Sequence, residues 1–163
     1  MEKTISKSKN FILPLIQFFS ILGIIILSQI VFKNQFITGT IINALLICSV
    51  MFLGLRQAIG IAIIPSLFSV FTGLMTPAVL PFVPCIILGN IILVWTFNFF
   101  KNKNYIFGGI LASVLKFSFL FGTSSVLFNL PKQILYAMSY PQLITALVGT
   151  FLAILILKKY KKI

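Results

Sequence analysis

Residues 105–128, YIFGGILASVLKFSFLFGTSSVLF, form one uninterrupted apolar run whose single charge, Lys116, sits near its centre. A helix of about 20 apolar residues crosses a hydrocarbon core of ~30 Å, and this run is long enough. A membrane strand would instead show about ten residues of alternating polarity closed by a turn. The run does not alternate, so it reads as a transmembrane helix.

Five further runs of the same kind lie outward from it, at 11–32, 36–55, 57–75, 81–100 and 139–157. Of the 163 residues, 60% are hydrophobic and 9% charged, where a soluble domain carries about a quarter charged residues. A water-soluble fold is therefore excluded. The expectation is an all-α integral membrane protein, residues 1–163 forming a single domain of six transmembrane helices. No length remains for a separate catalytic, nucleotide-binding or DNA-binding domain.

Thirteen Lys and Arg residues stand against one acid, Glu2, and there is no His. On a soluble domain the net charge of +12 would point to nucleic acid. Here the charges fall at the ends of the runs. Lys3, Lys7 and Lys9 precede the first run, Arg56 separates the second and third, Lys101 and Lys103 the fourth and fifth, and Lys158, Lys159, Lys161 and Lys162 follow the sixth. The opposite side has only Lys33 and Lys132. The positive-inside rule then places both termini in the cytoplasm, with no nucleic-acid partner and a modest attraction to anionic lipid. Lys116 belongs to neither set.

Lysines ahead of an apolar stretch also occur in signal peptides. The first run is longer than a signal core and no small-residue cleavage pattern follows before Lys33, so it reads as a retained helix. Tyr105, Tyr160 and Trp95 fall at the inner boundaries and Tyr136 and Tyr140 at an outer one, where amphipathic rings are favoured. Cys48 and Cys85 lie in or beside apolar runs without CxxC spacing. They give no metal or redox motif and read as small buried residues.

Two outer connections stand out. Residues 76–84, TPAVLPFVP, carry three prolines, which fix the backbone and interrupt a regular helix. Residues 129–138 are apolar enough to lie along the membrane surface. Each is either a rigid turn or a cover over a cavity that opens outward. Small residues recur at four-residue spacing in Gly54, Ala58 and Ala62, with similar sets at Gly109 and Ser113 and at Ala146, Gly149 and Ala153. Such stripes let helices approach closely in lipid, where apolar burial by itself gives no preference for another helix. They serve packing within the chain or docking of a second membrane subunit.

Lys116 lies about twelve residues from either end of its helix, so ~18 Å from each interface at 1.5 Å per residue. A lysine stem reaches only about a third of that distance, so snorkelling leaves the amine inside the membrane. A base at mid-helix costs roughly 2.5–3.5 kcal/mol on insertion scales. No acid on another helix can neutralise it, because Glu2 is the only acid in the chain. Four solutions remain: a neutral amine, the carbonyls of a broken helix, a carboxylate from another subunit, or an anionic ligand.

Other polar side chains share this depth or lie above it, which favours the ligand. Asn43 lies two turns below the outer end of the second helix, and Asn90 near the middle of the fourth. Thr123, Ser124 and Ser125 lie two turns above Lys116, and Gln142 and Thr145 in the first turns of the last helix. A buried amide must find a partner or bear its desolvation cost. Together these groups suggest an outward pocket with Lys116, Asn90, Asn43, Gln142, Ser124 and Thr145 as substrate-binding residues and a Phe-rich apolar wall. Intramembrane carboxylates or His for ion coupling are absent, as are a Walker sequence and any catalytic triad or metal cluster. The expectation is a non-catalytic protein without cofactor or metal.

Thr38-Gly-Thr-Ile-Ile-Asn43, Leu53-Gly-Leu-Arg-Gln-Ala-Ile-Gly60 and Pro65 resemble the second and third helices of the substrate-capturing S components of energy-coupling factor (ECF) transporters, and Pro81-Phe-Val-Pro84 with Gly89-Asn90 fit the same pattern. The resemblance implies a multi-pass protein of a prokaryotic plasma membrane that binds a vitamin-like micronutrient. Its implied partners are a membrane T subunit and two cytoplasmic ATPases. The coupling contact of that family uses an AxxxA pair on the first helix. This chain has only Ser20 and Gly23 there, while Ala58 and Ala62 lie on the third helix. Docking candidates are therefore Gly54, Ala58, Ala62, Ser20 and Gly23. The expected function is capture of a small anionic micronutrient. The alternatives are a self-sufficient facilitator or flippase, or a structural subunit of another membrane complex.

Overall fold

The computed structural model describes residues 2–126 and 132–161, with side chains at all of these except 2–11, 133, 134, 137 and 161. Helices make up all of the regular structure among these residues: α1 (Glu2–Val31), α2 (Gln35–Phe52), α3 (Leu55–Phe71), a 3-10 segment (Pro77–Phe82), α4 (Val83–Phe100), α5 (Tyr105–Val126), a short α6 (Lys132–Ala137) and α7 (Tyr140–Lys161). Spans at Ile12–Val31, Gln35–Phe52, Pro77–Phe100, Tyr105–Val126 and Tyr140–Tyr160 are long and apolar enough to cross a membrane. Helix α3, with 17 residues, is shorter. At 1.5 Å per residue it covers about 25 Å, somewhat less than a full hydrocarbon core. The chain is thus a multi-pass helical membrane protein.

The helix ends have local causes. Asn34 caps α2, its Oδ1 accepting from the backbone N–H groups of Phe36 at 2.9 Å and Ile37 at 3.4 Å. Asn104 likewise accepts from Phe107 N–H at 3.0 Å at the start of α5. Gly54 turns the chain between α2 and α3 at φ 88°, a left-handed conformation open to glycine. It is therefore a turn residue, which corrects its reading as the first member of a packing stripe with Ala58 and Ala62. The prolines of the 76–84 stretch do not produce an irregular loop. Pro77 opens the 3-10 turn and Pro84 sits in the first turn of α4, where a missing N–H leaves no gap in the ladder.

Short connections make successive helices alternate in direction. One end of the bundle therefore carries the start of α1, the α2–α3 and α4–α5 turns and the end of α7; the opposite end carries the α1–α2 turn, the 3-10 segment and α6. The two ends are filled differently. The main apolar core contains Leu46, Ile47 and Val50 of α2, Ala58 and Ile61 of α3, Leu93, Val94 and Phe97 of α4, and Leu157 of α7. Most of these lie in the half bearing the lysine-rich ends. Toward the other end, Val79 and Phe82 of the 3-10 segment pack with Leu120 and Met138 in a second, smaller cluster, and the space beside them is open.

Close approach and polar bonds, rather than apolar burial alone, distinguish helix contacts from lipid contacts. Ser113 of α5 shares a 3.0 Å hydrogen bond with Thr150 of α7. A Cβ on Gly109 would collide with Thr150 Cγ2, and one on Gly149 would lie 2.7 Å from Thr40 O and 2.8 Å from Asn43 Cβ. Ala58 and Ala62 are fully buried within the bundle, so they serve intramolecular packing. Ser20 is exposed, and a Cβ on Gly23 would meet no atom within 4 Å. Many large aromatic side chains face outward, among them Phe71, Phe99, Phe151 and Trp95.

Candidate functional site

Three side chains from three helices meet where the packed half of the bundle ends. Lys116 Nζ of α5 donates to Asn43 Oδ1 of α2 at 2.6 Å and to Asn90 Oδ1 of α4 at 2.7 Å. All three residues are at most 6% exposed. Their helices bring them to one level: Asn43 is eight residues into α2 and Asn90 seven into α4, hence ~12 and ~10 Å from those helix starts at 1.5 Å per residue. Among the described residues the lysine has neither broken-helix carbonyls nor an acid as partners. Two neutral amide oxygens hold it.

The second face of each amide is used differently. Asn90 Nδ2 donates to the backbone carbonyl of Ala62 on α3 at 3.4 Å, which ties a fourth helix to the group. Asn43 Nδ2 has no partner among the described residues. An ammonium has three donors, and two of those on Lys116 are occupied by the amides. The group therefore ends in unspent N–H donors from Lys116 and Asn43, with no acidic side chain facing them among the described residues.

Those donors form the floor of a cavity of about 700 Å³. Lys116, Asn43 and Asn90 all line it, and its walls rise through the ends of α1 and α3, the first turns of α2 and α4, the residues leading into the 3-10 turn, and Met138 and Gln142 at α7. It lies toward the bundle end opposite the lysine-rich one. Gln142 lines the wall, its Nε2 3.9 Å from Met138 Sδ.

Ser124 and Thr145 do not join the lining residues. Each hydroxyl bonds a carbonyl of its own helix, Ser124 Oγ to Phe121 O at 3.0 Å and Thr145 Oγ1 to Gln142 O at 3.2 Å. Thr145 packs against Gly39, whose added Cβ would lie 3.2 Å from Thr145 Oγ1. These two residues therefore belong to helix packing. The 76–84 stretch contributes Thr76 and Val79 to the wall, while buried Val79 and Phe82 anchor it to Leu120 and Met138. Of residues 129–138, 129–131 lie outside the described residues; 132–137 form α6 and Met138 is buried beside the cavity.

Several polar lining residues were not among the binding residues expected from the sequence: Gln29, Gln35, Thr38, Ser66 and Ser69. Gln29 Oε1 is shielded and has no hydrogen-bond partner among the described residues. Lys33, at the α1–α2 turn, adds a second base near the mouth. The expected Phe-rich wall is not present among the described residues. Phe32 is the one aromatic residue lining the cavity among the described residues, and its other apolar side chains are Ile, Leu, Val, Met and Pro. The Phe side chains at positions such as 71, 99 and 151 face outward instead.

No protein-family model, curated protein or solved structure matches the chain.

Proposed function

We propose that this protein captures a small anionic micronutrient from outside the cell and serves as the S component of an ECF-type transporter in a prokaryotic plasma membrane. The observation that carries the reading is the Lys116 amine, held by the Asn43 and Asn90 carbonyls at a cavity floor with no acidic side chain beside it among the described residues. The two amides orient the ammonium without neutralising it. A carboxylate arriving in the cavity completes the charge and accepts the remaining donors of Lys116 and Asn43. Hydrogen bonds between ionised partners are roughly twice as strong as neutral ones, and the apolar surroundings screen them little.

With both termini in the cytoplasm, the side on which the positive-inside rule puts the ten bases that flank the apolar runs, the cavity faces outward. About 700 Å³ falls within the ~300–1,000 Å³ usual for small-molecule sites. The chain has no ion-coupling carboxylate and no nucleotide motif, so energy for release comes from partners: a T subunit and two ATPases. Ser20, exposed on α1, and Gly23, beside which a Cβ would meet no atom within 4 Å, are the docking positions for the T subunit. A facilitator would move solute in liposomes unaided, whereas an S component binds tightly and transports only with its partners.

Mass spectrometry of small molecules released from the purified protein tests this reading. The wild type releases a stoichiometric anion and Lys116→Met, equally well inserted, does not. Equal release from both removes Lys116 from the binding role.

A further inference from the structure

Resting on the anion-capture reading, the cavity wall narrows the class of solute. We infer that the ligand is an aliphatic carboxylate, whose acid group meets Lys116 and Asn43 and whose body is saturated or alkyl rather than a flat aromatic ring. The chain holds 18 Phe, 4 Tyr and 1 Trp, yet Phe32 is the one aromatic residue among the described lining residues. It sits in the α1–α2 turn and is 42% exposed, away from the floor. A site that selects a flat ring places an aromatic face against it, because offset stacking adds to area burial.

What surrounds the floor is aliphatic. Ile42 adjoins Asn43 in sequence, Ile61 adjoins Ala62, whose carbonyl receives Asn90, and Ile86 is one turn above Asn90 on α4. Met75, Val79 and Met138 continue the surface toward the mouth. Branched and thioether side chains pack against an irregular alkyl body, and methionine adapts its rotamers to do so. The polar groups above the floor, Gln29, Thr38, Ser66, Ser69 and Gln142, are dispersed along the wall. They suit hydroxyl or amide substituents on a chain.

The experiment uses the full-length protein, stripped of bound solute, in nanodiscs. Binding of radiolabelled octanoate, octanamide and 2-naphthoate is measured, with Lys116→Met nanodiscs defining lipid partitioning. The expected result is saturable octanoate binding that is lost in Lys116→Met, with no such component for octanamide or 2-naphthoate. Met75→Trp, which narrows the aliphatic wall and leaves the floor intact, weakens octanoate binding. That variant keeps the test decisive if Lys116→Met fails to insert.

Lys116-dependent binding of 2-naphthoate at least as tight as that of octanoate overturns the aliphatic assignment and leaves the anion-capture reading standing. Octanamide bound as well as octanoate overturns both. Absence of any saturable octanoate component, or unchanged octanoate binding in Met75→Trp, overturns the assignment of the wall.

Discussion

Replacing Asn43 by Leu is expected to destabilise the protein more than removing the lysine itself. Asn43→Leu keeps the side chain's approximate size but deletes the Oδ1 that accepts from Lys116 Nζ at 2.6 Å. The amine is left with Asn90 alone, in a site where Lys116 is 4% exposed. Neutral interhelical hydrogen bonds in membranes average about 0.6 kcal/mol and reach about 1.7. A charged partner roughly doubles such a bond, so the loss should be about 1–3 kcal/mol. Lys116→Met also removes both bonds, but it abolishes the roughly 2.5–3.5 kcal/mol disadvantage of a base at mid-helix. At the middle of these ranges two bonds of about 2 kcal/mol each stand against about 3 kcal/mol, so the net loss should be about 1 kcal/mol, smaller than that of Asn43→Leu.

The double variant Asn43→Leu/Lys116→Met should consequently be more stable than Asn43→Leu alone. Reversible unfolding of solute-stripped protein in bicelles measures all four species, stripping being necessary because a bound solute adds its own stabilisation. Strictly additive effects, or a Lys116→Met loss larger than that of Asn43→Leu, would refute the account of a lysine held by its amides.

Other expectations follow from the packing and the charge pattern. Gly149→Ala places a Cβ 2.8 Å from Asn43 Cβ and 2.7 Å from Thr40 O; overpacking of this kind costs about 1–3 kcal/mol, and displacing Asn43 should also reduce the amount of solute that copurifies. Ser113→Ala and Thr150→Val each break the 3.0 Å α5–α7 hydrogen bond and should lower stability by about 0.6–1.7 kcal/mol, with the double variant little worse than either single one. Alkaline phosphatase fused after Lys33 or Lys132 should be active and after Arg56 or Lys103 inactive; the reverse pattern would invert the orientation.

The spans were legible because helices that are apolar along their whole length leave long continuous runs. The same uniformity hid which face points inward. A run such as 83–100 is apolar on every side, so nothing in it says that Trp95 and Phe99 are exposed while Phe97 is buried. That is why the sequence suggested a Phe-rich cavity and the structure has an aliphatic one. Depth, by contrast, can be counted along a helix, and the count places Lys116 at mid-helix with Asn43 and Asn90 at its depth or above it.

Depth did not separate Ser124 and Thr145 from the cavity, because small hydroxyls satisfy themselves on their own helix carbonyls. Gln29, Ser66 and Ser69 did not stand out because hydroxyl and amide residues are ordinary near helix ends.

The most direct test of the central claim is an experimental structure of the protein purified from its own membranes without removal of bound solute. The account predicts a solute in the cavity with an acidic oxygen at ~2.7–2.9 Å from Lys116 Nζ, the spacing of a charge-assisted bond, while Asn43 and Asn90 still hold the amine. A partner subunit's carboxylate in that place, or a solute bound without any contact to Lys116, would contradict it.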